Sequence, residues 1–408
     1  YKILLAIKMK LILLTYYYPP DLSAGSFRSK ALAERLSKDL KPDEELIVIT
    51  TEPNRYDTYR KQIGSLPEDD NFDVYRIHVP QHANRIISQA WSFTVFFFKS
   101  FFILRKIKPD FIFCTTGRHM TSSITYIFSL IFNVNYYVDF RDIFSEAISE
   151  IYGRNNKFVR SFVRKFFLSI EKIVLKKAKA VNTVSEAFFE YYSNAGLDIS
   201  NWTFFPNGID EEFMNIPISN QVKRSNKVIL YAGNIGTGQG LEIILPMVSR
   251  ELSDKYRFVI IGDGVMRSKL KKIISHESIN NVIIKKPMSR NDLYKEYLHS
   301  DILFLHLNKL EAFQRSLPSK IFEYAVIGKP IIGGLSGYSS QFLKDHIPHS
   351  YVFKPGDSIG CIKAIKEAEN ISIKQEDIDL FKSKFSRSSI MKSLSEDVLE
   401  CARKNYSN

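Results

Sequence analysis

The chain has 408 residues, which is too many for one typical hydrophobic core, so we expect two domains. Its 45% hydrophobic and 25% charged residues exclude a disordered or fibrous protein. The net charge of +13 favours phosphorylated substrates, anionic lipid or nucleic acid as partners. Cys114, Cys361 and Cys401 form no metal-binding pattern, so we expect no metal and a cytoplasmic location.

The first apolar run of the chain is interrupted by Lys8 and Lys10, and no small-residue cleavage site follows it. We therefore expect no signal peptide. Met9 begins a run typical of a first strand, so we expect Tyr1–Lys8 to precede the folded domain.

Short apolar runs alternate with helix-like stretches along the first half of the chain, which is typical of a parallel, doubly wound sheet. The predicted strands are Leu11–Tyr16, Leu46–Thr51, Val74–His78, Phe111–Thr115, Tyr136–Phe140 and Ala180–Val184. A helix is predicted after the first of them, from about Arg28.

A second series of the same kind begins at Lys227. Its predicted strands are Val228–Ala232, Phe258–Ile261, Val282–Ile284, Ile302–Leu305 and Pro330–Gly333. A turn-rich segment, Phe205–Asp210, and a polar stretch, Ser219–Asn226, separate the two series, and we place the hinge there. The predicted domains are residues 1–210 and 211–385, followed by a helix-prone tail at 386–408. Ligands of such sheets bind beyond the carboxyl ends of the strands.

The segment from Arg315 to Pro330 contains the strongest chemical signal. Pro318 is suited to the first turn of a helix, so Lys320 and Glu323 are predicted to lie near a helix start. Arg315 and Lys320 can bind a diphosphate there, and Glu323 can accept hydrogen bonds from a sugar diol. The alternative is an ordinary capped helix.

Two glycine-containing segments follow predicted strands. Gly233–Glu242 lacks both the Walker A lysine and the GxGxxG spacing, but its backbone amides can hold a phosphate. Gly25 allows a bound group to approach the backbone after the first strand, where Ser26 and Arg28 can meet a phosphate. The alternative is a simple helix cap. We expect His306, isolated in the sequence, to be a packing or surface residue.

A cluster of charged residues ends the predicted fifth strand. Asp139 and Arg141 share one face of the strand, and Asp142 follows just beyond it. Two carboxylates beside a cation can position a sugar hydroxyl or act as a base. The alternative is a structural ion pair.

Two segments combine aromatic with basic residues. Trp91–Arg105 is strongly aromatic but shorter than a membrane span, and Arg154–Lys179 places many Lys and Arg residues among phenylalanines. A helix of this kind can lie on an anionic membrane, and we predict such a peripheral contact. The alternative is a pair of core helices with a solvated basic face.

Taken together, the motifs resemble those of the retaining glycosyltransferases of family 4, which have the GT-B fold. The resemblance extends from Met9 over nearly the whole chain. It rests on residues 18–20 with Ala24-Gly25, 184–186, 206–210, 261–264, and Glu323 with Gly328-Lys329-Pro330. It implies two Rossmann-like domains facing across a cleft and a C-terminal helix that crosses back to the first domain.

Two departures from the family pattern concern charge. Many members have two glutamates separated by seven residues, whereas here Arg315 replaces the first and only Glu323 is retained. Many members bind the donor diphosphate with Arg and Lys where this chain has Asn234 and Gln239. We hypothesise that Arg315 and Lys320 supply the missing charge.

The motifs and the resemblance together predict roles for residues of both domains. The predicted catalytic residues are Asp142, Arg315 and Lys320; the predicted donor-binding residues are Gly25, Asn234, Gly236, Gln239, Ser316, Ser319 and Glu323; and the predicted acceptor-binding residues are Ser26, Arg28, Asp139 and Arg141. No metal ligand and no cofactor is predicted, and UDP is the leaving group.

The segments Gln239–Glu242 and Leu317–Tyr324 resemble those of bacterial N-acetyl-L-fucosamine transferases, which implies a UDP-activated N-acetylated hexosamine or deoxyhexosamine as donor. The implied acceptor is a lipid-linked saccharide of O-antigen or capsule synthesis, at the inner face of the plasma membrane. Two other classes stay open. A GT-B epimerase or hydrolase would use water, and a basic nucleic-acid-binding protein would need neither the paired α/β halves nor Glu323.

Overall fold

The computed structural model describes residues 8–21, 23–53, 71–80, 86–116, 120–153, 156–215 and 226–406. These residues form two units. The first contains the described residues of Tyr1–Asn207 and Arg387–Asn408, and the second is built from Gly208–Ser386.

The first unit contains a seven-stranded parallel sheet. Its strands are β1 Met9–Thr15, β2 Glu44–Thr51, β3 Asp73–Ile77, β4 Phe111–Thr115, β5 Asn135–Phe140, β6 Ala180–Thr183 and β7 Trp202–Phe204. Their order in the sheet is β3-β2-β1-β4-β5-β6-β7. The central strand β1 pairs with β2 and β4, so that Leu11 lies beside Leu46 and Phe111. Because β1 and β4 are neighbours, the direction of the winding reverses between β3 and β4.

Helices cover both faces of this sheet. They are α1 Ala24–Asp39, α2 Ile86–Ile107, α3 Met120–Phe132, α4 Phe144–Tyr152, α5 Lys157–Lys177 and α6 Ala187–Asn194. Alternate residues of each strand enter two cores. One core joins Ile12 and Leu14 to α2, α3, α5 and α6, and the other joins Leu11 and Leu13 to α1.

The C-terminal helix α14, Arg387–Tyr406, belongs to the first unit although it follows the second in the chain. Its apolar side packs on α1 and the sheet. Arg403 Nε donates to Glu44 at 2.7 Å, and the hydroxyl of Tyr137 donates to Asp397 at 2.5 Å. Arg387 also donates to the carbonyl of Asn207. The predicted return of this helix to the first domain is therefore confirmed.

The second unit contains a six-stranded parallel sheet in the order β10-β9-β8-β11-β12-β13. Its strands are β8 Lys227–Ala232, β9 Tyr256–Ile261, β10 Val282–Lys285, β11 Ile302–His306, β12 Ile331–Gly334 and β13 Ser350–Phe353. Its helices are α7 Leu241–Glu251, α8 Arg267–His276, α9 Arg290–His299, α10 Lys320–Tyr324, α11 Gly337–His346, α12 Ser358–Glu367 and α13 Gln375–Phe385. Apolar cores again lie on both faces of the sheet.

The two ends of the second unit meet. Ile209 forms an isolated parallel bridge with Ser386, and its N–H donates to the carbonyl of Phe385 at 2.8 Å. The polypeptide therefore enters and leaves this unit at one place.

All predicted strands are present, which confirms the α/β class with two Rossmann-like halves. The structure adds two strands that were not predicted, β7 and β13, at one edge of each sheet. Two predictions concern segments that fall largely outside the described residues, the Tyr1–Lys8 extension and the polar hinge stretch at 219–226. Within the described ranges, no helix combines the length and apolar character required to cross a bilayer.

Candidate functional site

The glycine-rich loop after β8 is held tightly against the loop after β9. The N–H of Ile235 donates to the carbonyl of Asp263 at 2.8 Å. A Cβ at Gly262 would lie 1.8 Å from the carbonyl oxygen of Gly233, so only glycine fits there. The loop is therefore a fixed turn at the carboxyl end of the sheet.

The side-chain amides of Asn234 and Gln239 bond to each other within this loop. Asn234 Nδ2 donates to Gln239 Oε1 at 3.0 Å, and the N–H of Gly236 donates to the same oxygen at 3.2 Å. Asn234 and Gln239 thus stabilise the loop by neutral hydrogen bonds. The predicted donor residues Asn234, Gly236 and Gln239 are brought together.

His306, at the end of β11, joins two further segments to this loop. Its Nδ1–H donates to the carbonyl of Gln239 at 2.6 Å, and its Nε2 accepts from the N–H of Gly356 at 3.0 Å. This pair of bonds requires the neutral imidazole. Burial lowers the pKa of His306, which keeps it neutral. Its packing role agrees with the sequence interpretation.

The segment after β11 contains the predicted cations. A short 3₁₀ helix, Glu311–Gln314, ends at Arg315, which is partly buried. The hydroxyl of Ser316 donates to the carbonyl of Ala312 at 3.1 Å. Ser319 directly precedes α10, which is only five residues long. The predicted helix is therefore present but short.

Lys320 and Glu323 form an ion pair on α10. Lys320 Nζ lies 2.7 Å from Glu323 Oε2 and 3.0 Å from the hydroxyl of Tyr297 on α9. The Tyr297 hydroxyl donates to the same carboxylate oxygen at 3.0 Å. The side chains of Lys320 and Glu323 are 25% and 13% exposed, so both keep contact with solvent.

The charge of Glu323 is stabilised by its neighbours. Burial alone would raise the pKa of this carboxyl, but the positive charges of Lys320 and Arg290 outweigh burial and lower it. Arg290 also pairs with Asp210 and Glu212. Glu323 is therefore ionised near neutral pH and acts only as a hydrogen-bond acceptor.

In the first unit, Arg28 and Asp139 form a buried ion pair. Arg28 Nη2 and Nε donate to the two carboxylate oxygens at 3.0 and 3.1 Å, and each side chain is 1% exposed. Thr115 and Asn182 donate to the same carboxylate, and Arg28 donates to the carbonyls of Phe205 and Pro206. This geometry is that of the structural ion pair, the alternative to acceptor binding.

The other predicted residues of the first unit gather around the start of α1. Ser23 caps the helix by accepting from the N–H of Ser26 at 3.1 Å. A Cβ at Gly25 would lie 3.3 Å from Arg141 Nη1. That nitrogen and the hydroxyl of Ser26 are buried without a hydrogen-bond partner in the described structure. Asp142 follows and is exposed.

Arg141 has one identified side-chain partner, since its Nη2 donates to Asn207 Oδ1 at 3.0 Å. Burial lowers the pKa of Arg141 to about 10, although the charge of Asp139 opposes the shift. The guanidinium remains charged at neutral pH. It can therefore bind an anion at Nη1, beside the first turn of α1.

Several residues that contact the predicted site residues were not found from the sequence. Tyr297 and Arg290 lie on α9, well before Glu323 in the chain, and Asn182 and Asn207 complete the cluster around Asp139 and Arg141. Ordinary spacing rules give no signal for them because sheet packing, not sequence proximity, brings them together. Among the described residues, no group of three or more His, Cys, Asp or Glu side chains is placed to hold a metal ion.

Residues 213–381 match the family model described as "Glycosyl transferases group 1". The match spans most of the second unit and includes the loop at 233–240, His306, Lys320 and Glu323. The second unit is therefore similar to the glycosyl transferases group 1.

Over 348 residues the chain is 24% identical to the protein of Escherichia coli (strain K12) described as a colanic acid biosynthesis glycosyl transferase, WcaI. The alignment covers 78% of this chain and 82% of WcaI. This similarity extends beyond the second unit into the first.

Solved structures match the whole fold. Sucrose-phosphate synthase from Thermosynechococcus elongatus has a TM-score of 0.74 at 12% identity, with 95% of this chain and 98% of the other covered. Anabaena HepE in complex with UDP and glucose has a TM-score of 0.69 at 13% identity, with 96% and 100% covered. The lipopolysaccharide outer core galactosyltransferase WaaB has a TM-score of 0.62 at 12% identity, with 96% and 99% covered. The chain has the fold of the GT-B glycosyltransferases.

Proposed function

We propose that the protein transfers a glycosyl group from a UDP-sugar to a hydroxyl of a lipid-linked saccharide, with retention of configuration. The observation that carries this proposal is the ionised, partly exposed Glu323 within the segment that matches the glycosyl transferases group 1. A carboxylate that is fixed by Lys320 and Tyr297 but still reached by solvent is suited to accept hydrogen bonds from the ribose diol.

The donor diphosphate is bound by Arg315 and Lys320 together with backbone N–H groups near Gly236 and Ser316. The neutral Asn234 and Gln239 supply no charge for this purpose, so these two cations stabilise the leaving UDP. We expect Arg315→Gln/Lys320→Gln to weaken UDP binding at least tenfold by calorimetry. The control Lys285→Gln/Lys295→Gln removes the same charge from other positions of the second unit. Unchanged affinity in the first variant would contradict the assignment.

The acceptor is assigned to the first unit. Arg141, with Ser26 at the start of α1, presents a positive charge and an unpartnered hydroxyl suited to a phosphate of the lipid-linked acceptor. Asp142 is exposed next to Arg141 and can orient a sugar hydroxyl. Arg28 and Asp139 hold β5, α1 and the segment at 205–206 together and so position Arg141.

The reaction breaks the bond between the anomeric carbon and the UDP oxygen and forms a bond from the acceptor oxygen on the same face of the sugar. The acceptor hydroxyl loses its proton, and a donor phosphate oxygen can receive it, as the family resemblance implies. No protein nucleophile and no metal is assigned to these steps. The donor sugar is proposed to be an N-acetylated hexosamine or deoxyhexosamine.

The descriptions of WcaI, WaaB and the UDP complex of HepE support a role in bacterial surface polysaccharide synthesis, such as O-antigen or capsule, with a nucleotide sugar as donor. The substrates would be used at the cytoplasmic face of the plasma membrane.

The decisive experiment is calorimetric binding of UDP, GDP, ADP and UDP-N-acetylhexosamines, each with and without EDTA. Selective UDP binding that persists in EDTA supports the proposal, whereas selective ADP or GDP binding would show that the donor sugar carries a different nucleotide.

A second assay measures UDP release with and without lipid-linked saccharides. Release that needs the acceptor supports transfer, and release into water alone would favour a hydrolase or epimerase. Salt-sensitive nucleic-acid binding without UDP binding would overturn the enzyme assignment.

A further inference from the structure

Three helices of the first unit leave large apolar side chains in solvent. Phe158 and Phe162 of α5 are 86% and 72% exposed, Leu130 of α3 is 65% exposed and Phe102 of α2 is 63% exposed. Phe98 and Ile131 are also exposed. We call the surface formed by these six residues the apolar face. Single exposed apolar residues are common, but such a concentration on adjacent helices marks a binding surface.

The three helices that carry the apolar face lie on one side of the sheet. Phe96 of α2, Phe128 of α3 and Val174 of α5 are all buried in the same core. Helix α3 packs against both α2 and α5, and Phe97 stacks on Phe128 with ring centroids 5.2 Å apart. Side chains on the opposite sides of these helices therefore point away from the sheet together.

The charges around the apolar face are positive. Lys157, Lys165, Lys176 and Lys177 of α5 are exposed, and α2 ends with Arg105 and Lys106. The single acidic residue of these three helices is Glu171. It is buried and accepts hydrogen bonds from Ser145 and Tyr192, so it does not neutralise the surface.

We propose that the apolar face is a docking surface for an anionic lipid bilayer, with α5 lying along the membrane plane. Exposed phenylalanines can enter the acyl boundary while the lysine ammonium groups remain at the headgroups. A second copy of this chain is a poorer partner, because it would bring the same cluster of lysines face to face. A surface that binds lipid would deliver the enzyme to a lipid-linked acceptor; only this last step rests on the proposed function.

The test is flotation of the full chain with vesicles, without nucleotide, so that its outcome is independent of the donor and the reaction. Vesicles of phosphatidylcholine with phosphatidylglycerol are compared with phosphatidylcholine alone. We expect binding to the anionic vesicles that weakens at least fivefold at high salt. Phe158→Ser/Phe162→Ser should weaken it at least tenfold, and Lys157→Gln/Lys165→Gln/Lys176→Gln should do the same while reducing the salt dependence.

Matched controls lie in the second unit. Ile359→Ser/Leu380→Ser removes two exposed apolar side chains, and Lys269→Gln/Lys271→Gln/Lys272→Gln removes three exposed charges. Both should bind vesicles like the unaltered protein. No binding to anionic vesicles, or equal losses in test and control variants, would overturn the proposal. So would a concentration-dependent dimer in light scattering that the Phe158→Ser/Phe162→Ser variant abolishes.

Discussion

Two ion pairs of the same chemistry, one in each unit, differ in what surrounds them. Arg28 and Asp139 are sealed from solvent, and Thr115 and Asn182 complete the hydrogen bonding of the carboxylate. Lys320 and Glu323 are as close to each other, but both remain partly exposed. A saturated, buried pair supports the fold, whereas a pair that solvent still reaches can bind a ligand. Burial and hydrogen-bond saturation, not residue type, separate the two roles.

The largest effect on stability is expected when the buried ion pair of Arg28 and Asp139 is broken. Asp139→Ala leaves the Arg28 guanidinium buried without its carboxylate, which should lower the free energy of unfolding of the first unit by about 3–5 kcal/mol. Both tryptophans, Trp91 and Trp202, lie in this unit, so urea titration followed by tryptophan fluorescence measures it. The double variant Arg28→Met/Asp139→Leu should lose less than Asp139→Ala. A loss below about 1 kcal/mol in Asp139→Ala would contradict a structural role.

The partly exposed pair of Lys320 and Glu323 should affect ligand affinity more than stability. Glu323→Gln removes the charge that accepts hydrogen bonds from a diol, so UDP affinity should fall roughly thirtyfold, about 2 kcal/mol. The free energy of unfolding should change by less than about 1 kcal/mol because the site is partly exposed. Calorimetry gives the affinity and urea titration the stability. Glu296→Gln, which breaks the Lys285 pair of the same unit, is the control and should leave UDP affinity unchanged.

Glu171 is a third carboxyl group, which is buried and accepts hydrogen bonds from Ser145 and Tyr192. Burial raises its pKa from 4.5 to about 7 despite those bonds. Between these values the folded protein holds a proton that the unfolded chain releases, so stability falls as pH rises. We expect the free energy of unfolding to drop by about 2–3 kcal/mol between pH 5 and 8 from this group.

Glu171→Gln cannot ionise, so its stability should depend less on pH over that range. The check is urea titration of both proteins at several pH values. Glu190 is an exposed carboxylate on α6, so in Glu190→Gln the free energy of unfolding should change with pH as it does in the unaltered protein. If the free energy of unfolding of Glu171→Gln changed with pH as it does in the unaltered protein, the pKa of Glu171 would not be raised.

A smaller effect is expected at a pair whose cation is more exposed than Lys320. Arg403 is 33% exposed and pairs with Glu44. Its replacement by Gln should lower the free energy of unfolding of the first unit by only about 0.5–1 kcal/mol in a urea titration. Lys404→Gln, whose partner Glu400 is also largely exposed, should have no measurable effect. A loss as large as that of Asp139→Ala would show that exposure does not rank these pairs.

Much of the fold could be predicted because the apolar runs of parallel strands alternate with helices along the chain. Strand β7 has three residues and β13 has four, and three of the four residues of β13 are only partly buried. Neither gives a continuous apolar run, so periodicity could not find them. The return of the C-terminal helix to the first domain was predicted only from the family resemblance. Its packing partners on α1 lie more than 300 residues away in the chain, as in the bond of Ser395 to Asp39, so local sequence patterns do not indicate the contact.

The site could be predicted only where its partners are close in sequence. Lys320 and Glu323 are three residues apart, so helical spacing indicates that they meet. Arg28 and Asp139 are 111 residues apart, and their pairing depends on β1, β4 and β5 being neighbours in the sheet. The sequence could therefore name both residues but could not decide whether they bind a substrate or each other.

The bridge between Ile209 and Ser386 has a consequence for engineering. The second unit is a single insertion within the first. Its two ends are joined by this bridge, and Arg387 bonds to Asn207 at the adjoining ends of the first unit. We therefore expect each unit to fold as a separate protein, the second as residues 208–386 and the first with a short glycine-serine linker in place of them. The two recombinant pieces would allow nucleotide binding and lipid binding to be assayed on different molecules.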